Sequence, residues 1–317
     1  MLPPASFSQY TFCMSEYITF LFFNNKIVLS KQKFRIQEKF IRRITKRRKG
    51  GEAMNPENVL KMVITSSVRH KVLLALSEGP KTLGEIHSQV GSTKSTISHA
   101  LSDLMEERLI IQDPETKQYQ LTNIGHLVSL QVKNIMGALE SIRRFEEFWL
   151  SHDLSGIPEE LLLRIGDLRD SELHTTTPEY LKLPHEVYME LIKTSKWIKG
   201  VSPILFADYP EEFLELAFGE DVDIDIITTR AVYEKLIELS APEAVEKVRN
   251  LPNVRLYVID ENPKVAFTVT NNFLSLGLFL PNGTYDMMND LISTNERAKK
   301  WGIELFEYYR RRAERVI

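Results

Sequence analysis

The chain has 317 residues, enough for about two domains of roughly 150 residues each, and 43% of them are hydrophobic, so sizeable cores are expected. Its one cysteine, Cys13, excludes a disulfide or a cysteine-based metal site within a single chain and suits a cytoplasmic setting. Charge is unevenly spread: residues 1–53 hold 11 Lys and Arg against 3 Asp and Glu, leaving 29 basic and 40 acidic residues for positions 54–317.

The N-terminal tail joins an apolar patch, YITFLFF, to a basic run, FRIQEKFIRRITKRRKGG. Seven apolar residues are far short of the roughly 20 that cross a bilayer, and no small-residue cleavage site follows as a signal peptide requires. A basic run of this kind serves as a nucleic-acid arm or a membrane-surface helix. A plainer reading is favoured: Gly50-Gly51-Glu52 can be encoded by a purine run of the ribosome-binding type. Translation is then expected to begin at Met54, with residues 1–53 an untranslated or disordered extension.

From Met54 the elements follow in order. NPENVLKMVITSSVRHKVLLALSEG predicts one or two helices with Val68, Val72, Leu73 and Leu76 inward, stopped by Gly79-Pro80. TLGEIHSQVG predicts a short helix with Leu83, Ile86 and Val90 on one face, ended by Gly91. STKSTISHALSDLMEER predicts a third helix, with Ile97, Leu101 and Leu104 on one face and Ser95, Ser98, His99 and Ser102 on the other. LIIQD, a PETK turn and QYQLT then predict a two-strand hairpin. Helix, short helix, tight turn, helix and hairpin make a winged helix-turn-helix over residues 54–122.

A recognition helix enters the major groove with its N-terminal residues against base edges, while other groups fix register on phosphates. Double-stranded DNA is therefore the expected partner. Ser92 or Thr93 caps the helix start and offers its N–H groups to a phosphate, Ser95, Ser98 and His99 face the bases, Lys94 flanks them, and Lys117 and Tyr119 lie on the wing. Two alternatives stay open. Ser and Thr at a helix start serve also as plain caps, and winged helices also act as protein-interaction modules. Residues 54–124 carry 7 Lys and Arg against 8 Asp and Glu, so the usual basic footprint is missing.

Thr122 is expected to cap a long helix running to Leu150, and residues 123–155 are read as a linking or dimerisation segment. Val128, Ile135, Ile142 and Trp149 recur every seven residues, with Val132 and Leu139 between them, a seam suited to a second copy of the chain. Packing within its own domain is the alternative. Gly156-Ile157-Pro158 marks the next boundary, and beyond it strands and helices alternate over residues 156–317: α/β with a mixed sheet. The predicted helices include EEFLELAFG and a closing NERAKKWGIELFEYYRRRAERVI. Ligands in such sheets sit beyond the strand carboxyl ends, which here carry Ser202, Tyr209, Thr228, Thr229, Arg230 and Lys264. Those hydroxyls and cations predict a small, anionic effector.

The YQLT-N-I-G junction, the GIPEELLLRIGDL linker and the VRLYVIDENPKVAFTVTNNFLSLGLF block resemble archaeal regulators of the methanogenesis regulatory (Fil-type) family, over residues 60 to 317. That resemblance implies a DNA-binding winged helix joined to an effector-sensing domain. The C-terminal half is also similar in layout to phospholipase D-like folds, whose motif is HxKxxxxD. Here Lys264 stands where the motif has Lys, but Asn262 replaces the nucleophilic His and Val269 the Asp, so the phosphodiesterase alternative lacks its nucleophile.

No Gly-rich loop follows any strand, and the seven His are scattered singly, so no catalytic residue, metal or cofactor is expected. Asp221, Asp223 and Asp225 would share one strand face. A solvated edge is the favoured reading there, with a Ca²⁺ or Mg²⁺ site as the alternative. The sequence thus reads as a cytoplasmic, dimeric DNA-binding regulator that senses a small molecule, catalyses nothing and does not contact a membrane.

Overall fold

The computed structural model describes residues 54–177, 179–180, 183–205, 216–218 and 222–317. The basic tail, and with it the expectation about where translation begins, lies outside the described residues. So do Tyr209, Asp221 and most of the EEFLELAFG segment, of which 216–218 are helical. Among the described residues no helix is long and apolar enough to cross a membrane. Two compact units divide at Ser129.

The first unit holds α1 (Pro56–Ile64), α2 (Ser67–Ser77), α3 (Leu83–Val90), α4 (Lys94–Glu106) and an antiparallel hairpin of β1 (Ile110–Gln112) and β2 (Tyr119–Leu121). This is the element order read from the sequence. Local chemistry sets each boundary. Asn55 caps α1 and Ser66 caps α2 through their side-chain oxygens. Thr82 and Glu85 close a capping box on α3, and Gly91 ends that helix in the left-handed region at φ 67°. Thr93 caps α4 by accepting from the Thr96 N–H. Val72, Leu73, Leu76, Ile86, Val90, Ile97, Leu101 and Leu104 are buried together, each on the face its spacing predicted, while Val68 and Leu83 are half-buried. Arg69 ties the helices from the side: its guanidinium donates to Asp103 of α4 (3.0 Å) and to the Met62 carbonyl of α1 (3.1 Å).

α5 (Asn123–Arg144) starts where Thr122 Oγ1 accepts from the Gly125 N–H (3.0 Å) and donates to the Arg108 carbonyl (2.6 Å). Gly125 is required there, because a Cβ would fall 1.7 Å from the Leu109 carbonyl oxygen. The helix ends six residues before the expected Leu150. Phe145 leaves helical geometry at φ −120°, ψ 36°, and the chain resumes as α6 (Glu146–Ser151). The break turns Phe145, Phe148 and Trp149 into the core, so Trp149 does not belong to the expected seam. Its indole N–H donates to the Ser141 carbonyl (3.1 Å) instead.

The second unit adds α7 (Glu159–Leu162), a 3₁₀ turn at Ile165–Leu168, β3 (Glu172–Thr175), α8 (Leu183–Ile192), β4 (Trp197–Ser202), β5 (Asp223–Thr229), α9 (Arg230–Leu239), α10 (Pro242–Arg249), β6 (Val254–Ile259), β7 (Val265–Thr270), β8 (Leu274–Leu278), β9 (Asn289–Ser293), α11 (Glu296–Arg310) and β10 (Glu314–Arg315). Eight strands form one mixed sheet in the order β10-β6-β5-β4-β7-β8-β9-β3. β4, β5 and β6 are parallel to one another, and every other pair is antiparallel. The chain is thus α+β with a large mixed sheet. The closing helix stops at Arg310 rather than running to the C-terminus, and the last residues turn back to pair with β6.

α11 covers one face of the sheet, where Trp301, Leu305, Phe306 and Tyr309 pack on Val201, Ile227, Phe267, Val269, Leu274 and Leu276. Trp301 is fully buried and donates its indole N–H to the Leu161 carbonyl (2.9 Å), which anchors α7 to this core. The opposite face carries a second apolar cluster under α8, including Tyr188, Met189, Ile192 and Ile224.

Candidate functional site

Two surfaces carry chemistry, one in each unit. On α4 the buried residues are Ile97, Ala100, Leu101 and Leu104, which leaves Lys94, Ser95, Ser98, His99 and Ser102 exposed on the other face. Apart from Thr93, whose hydroxyl bonds the Thr96 hydroxyl (2.8 Å), this face makes little use of its polar groups. The side chains of Lys94, Ser95, Ser98 and His99 make no hydrogen bond or ion pair to the described residues, and Ser92 beside them is half-buried. On the hairpin the Asp113 carboxylate accepts from the Glu115 and Thr116 N–H groups, which holds it below its ordinary pKa and fixes the turn. Lys117 is exposed at φ 57°, while Tyr119 is half-buried and exchanges backbone hydrogen bonds with Lys81.

Along α5, Ile135, Leu139 and Ile142 are exposed at 48%, 56% and 45%, and Val128 and Val132 are half-buried. The opposite side of the helix is packed. Gly137 and Gly166 let the helix backbone meet the 3₁₀ turn so closely that a Cβ on Gly166 would lie 2.6 Å from it.

In the second unit, Ser202, Thr228, Thr229, Arg230 and Lys264 do gather at one edge of the sheet, because β4 and β5 end there and β7, antiparallel to β4, begins there. They do not form one site. Arg230 is exposed and bonds Asp260 (2.7 Å), with Glu314 3.7 Å away. Lys264 bonds Asp153 (2.8 Å), and that ammonium, with Ser155, holds the Asp153 carboxyl down to about 2. Thr229 accepts from the Val232 N–H as the cap of α9. Carboxylates distant in sequence neutralise both cations, so the expected anion-binding pair is engaged in structure.

Ser202 and Thr228 line something else: a cavity of about 450 Å³ between the sheet and helices α8, α9 and α10. Its walls are mostly aliphatic, with Ile226, Leu256, Val232, Leu236 and Val245 among them. Polar groups lie along the sheet floor. Thr228 donates to the Ser202 carbonyl (2.8 Å), and Ser202 Oγ donates to the Ile204 carbonyl (2.9 Å). Tyr188 and Thr268 share a hydroxyl pair (3.1 Å). Ser275 Oγ lies 2.8 and 3.0 Å from the two carboxylate oxygens of Asp290. Burial pushes the Asp290 carboxyl up to about 6, against the lowering by Ser275 and the Leu276 N–H. Beside it, Asp286 accepts from the Met288 N–H (2.8 Å) and Asn289 (2.7 Å) and lies 3.0 Å from His152 Nε2.

Asp225 departs from the solvated edge expected of it, whereas Asp223 is exposed. β5 lies inside the sheet, Asp225 is buried, and it pairs with Lys199 (3.2 Å) and with Arg255, which also holds Asp223 (3.2 Å). Among the described residues no cluster of His, Cys, Asp and Glu is arranged to hold a metal ion. The sequence reading missed Thr268, Ser275 and Asp290. The available signal was a polar residue flanked by apolar ones in VAFTVT and LSLGL, and a carboxylate next to Leu291 and Ile292 in NDLIS.

Two family models match the chain: methanogenesis regulatory protein FilR1, N-terminal domain, over residues 57–140, and the middle domain of the same family over residues 181–312. A curated relative, methanogenesis regulatory protein FilR1 of Methanothrix harundinacea (strain 6Ac), is 32% identical over 260 residues. The match covers 81% of this chain and 58% of the relative, so the chain spans somewhat over half of that protein's length. Among solved structures, TrmBL2, described as an archaeal chromatin protein with a novel mode of DNA binding, aligns over 81% of this chain and 97% of its own at 13% identity and TM-score 0.36. Nuc of Salmonella typhimurium, a phospholipase D family member, aligns over 46% of this chain and 97% of its own at 10% identity and TM-score 0.33. Likenesses this distant carry no argument about the chain.

Proposed function

We propose that this chain, which belongs to the methanogenesis regulatory protein FilR1 family, is a DNA-binding transcription regulator and not an enzyme. In this reading the first unit is a winged helix-turn-helix, with α4 as recognition helix and the β1–β2 hairpin as wing. The observation that carries it is the exposed face of α4, where Lys94, Ser95, Ser98 and His99 hold polar groups that the described residues leave unused. Short donors and acceptors at the N-terminal end of a helix suit base edges, and a lysine beside them suits a phosphate. Ser92, Thr93, Lys117 and Tyr119 flank that face, Tyr119 mainly by supporting the wing.

The second unit, in this reading, senses a small molecule in the cavity lined by Ser202 and Thr228. The exposed stripe Ile135, Leu139 and Ile142, with Val128 and Val132, is the seam of a homodimer, which matches a two-fold operator. A ligand would act by binding two conformations with different affinity.

Gel-shift titration across salt concentrations tests the DNA reading. Lys94→Ala should weaken binding equally on all sequences and reduce the salt slope by about 0.9, the share of one phosphate. Ser98→Ala and His99→Ala should relax preference at particular base pairs by about 1–3 kcal/mol. Uniform losses for all three variants sink base readout, and no loss in any of them sinks DNA binding through α4.

A further inference from the structure

Three hydroxyls in the cavity wall have spent their hydrogens, and this bears on what can fill it. Ser275 gives its hydroxyl hydrogen to Asp290, Thr228 gives its own to the Ser202 carbonyl, and Ser202 gives its own to the Ile204 carbonyl. Arg255 directs its guanidinium to Asp223 and Asp225. The three hydroxyls therefore offer a guest lone pairs, while the guanidinium, a donor only, is turned to the two β5 carboxylates. Asp286 already accepts from the Met288 N–H and the Asn289 amide and lies 3.0 Å from His152 Nε2. Asp290 differs: it accepts from Ser275 and the Leu276 N–H, yet no cation among the described residues pairs with it, although it is 9% exposed. A carboxylate at the wall of an aliphatic cavity without a counter-ion is costly as an anion, and the raised proton affinity of Asp290 agrees with that cost.

The geometry points to a small amine as the ligand: an ammonium head seated at Asp290 and Ser275, carrying an apolar body that lies along Ile226, Leu256, Leu236 and Val245. An ammonium supplies both what the wall lacks, a positive charge, and what it accepts, hydrogens. A carboxylate or phosphate would face Asp290 and Asp286 with no unengaged cation nearby among the described residues. The volume of about 450 Å³ suits a molecule of modest size. This inference deepens the sensor reading above and rests on it for any regulatory meaning.

Isothermal titration of the full chain with matched probes tests it. Three apolar bodies, butyl, cyclohexylmethyl and phenethyl, are each compared as amine, alcohol and carboxylic acid. The best amine should bind about tenfold or more tighter than the alcohol of the same body, the return on a charge-assisted bond, and the acid should bind weakest. Asp290→Asn, which keeps the shape and the hydroxyl contact, should bring the amine to the affinity of the alcohol while leaving the alcohol unchanged. Equal affinity of amine and alcohol, preference for the acid, no binding by any amine, or an amine advantage that survives Asp290→Asn overturns the proposal. The head-group order in the wild-type chain decides even if the variant fails to fold. Amine binding that leaves DNA affinity unchanged supports the head-group chemistry and overturns the sensor reading instead.

Discussion

The exposed face of α4 and the floor of the cavity are built from the same kinds of side chain in opposite conditions. On α4, Ser95, Ser98, His99 and Lys94 are exposed, and their polar groups are uncommitted among the described residues. In the cavity, Ser202, Thr228 and Ser275 have each placed a hydrogen inside the protein. A surface of the first kind meets a partner that both gives and accepts, such as a base edge. A wall of the second kind selects for donors. Residue type alone therefore does not state what a serine recognises; the bond it already makes does.

The contrast is open to its hardest test at Gly125. Alanine there places a methyl 1.7 Å from the Leu109 carbonyl oxygen, so the hairpin or the start of α5 must move, at about 3 kcal/mol or more. The expected outcome is loss of DNA binding with ligand binding by the second unit retained. Unchanged operator affinity in a gel shift would show that the geometry of the hairpin does not matter to the α4 face.

Asp290 probes the cavity side. Its folded-state pKa, raised from 3.8 to about 6, means that the native chain holds this proton more tightly than the unfolded chain. The associated stability, about 3 kcal/mol in all, is fully present below about pH 4 and is lost as pH rises through about 6. Asp290→Asn should remove that component of the decline between about pH 4 and pH 7 and leave the variant more stable than wild type at the upper end. Denaturant titrations at the two pH values measure it, and parallel behaviour of the two proteins contradicts it.

The smallest effect is expected on the stripe of α5. Because Ile135 and Ile142 are about half exposed, Ile135→Glu and Ile142→Glu should each alter the stability of a single chain by less than about 0.5 kcal/mol. In a dimer through that face the two charges would be buried, and the sedimentation mass should halve at concentrations where wild type is paired. An unchanged mass removes the seam.

What the sequence revealed follows the range of the interaction. Gly91, Thr93 and Thr122 act within a few residues, and so the helix boundaries of the first unit were readable. The seven-residue spacing that carried Trp149 into the seam failed because Phe145 breaks the helix, a choice made by packing of Phe145, Phe148 and Trp149 into a core assembled from distant strands. Arg230 and Lys264 were placed correctly at the sheet edge, but their partners Asp260 and Asp153 lie 30 and 111 residues away. β3, β9 and β10 went unread because short strands at or near a sheet edge are defined by pairing more than by their own pattern. Asp290 was invisible as a site until β9 set it beside Ser275.

The last residues of the chain have a further role. β10 lies along β6, with Val316 and Ile317 bonded to Leu256, so residues 314–317 cover one margin of the sheet with only two paired residues. Removing residues 314–317 would bare the β6 ladder as a template for strands of other molecules. An unpaired β6 would be a self-adhesive margin, so the aggregation of a chain cut before Glu314, set against that of the chain carrying β10, measures what two paired residues hold closed.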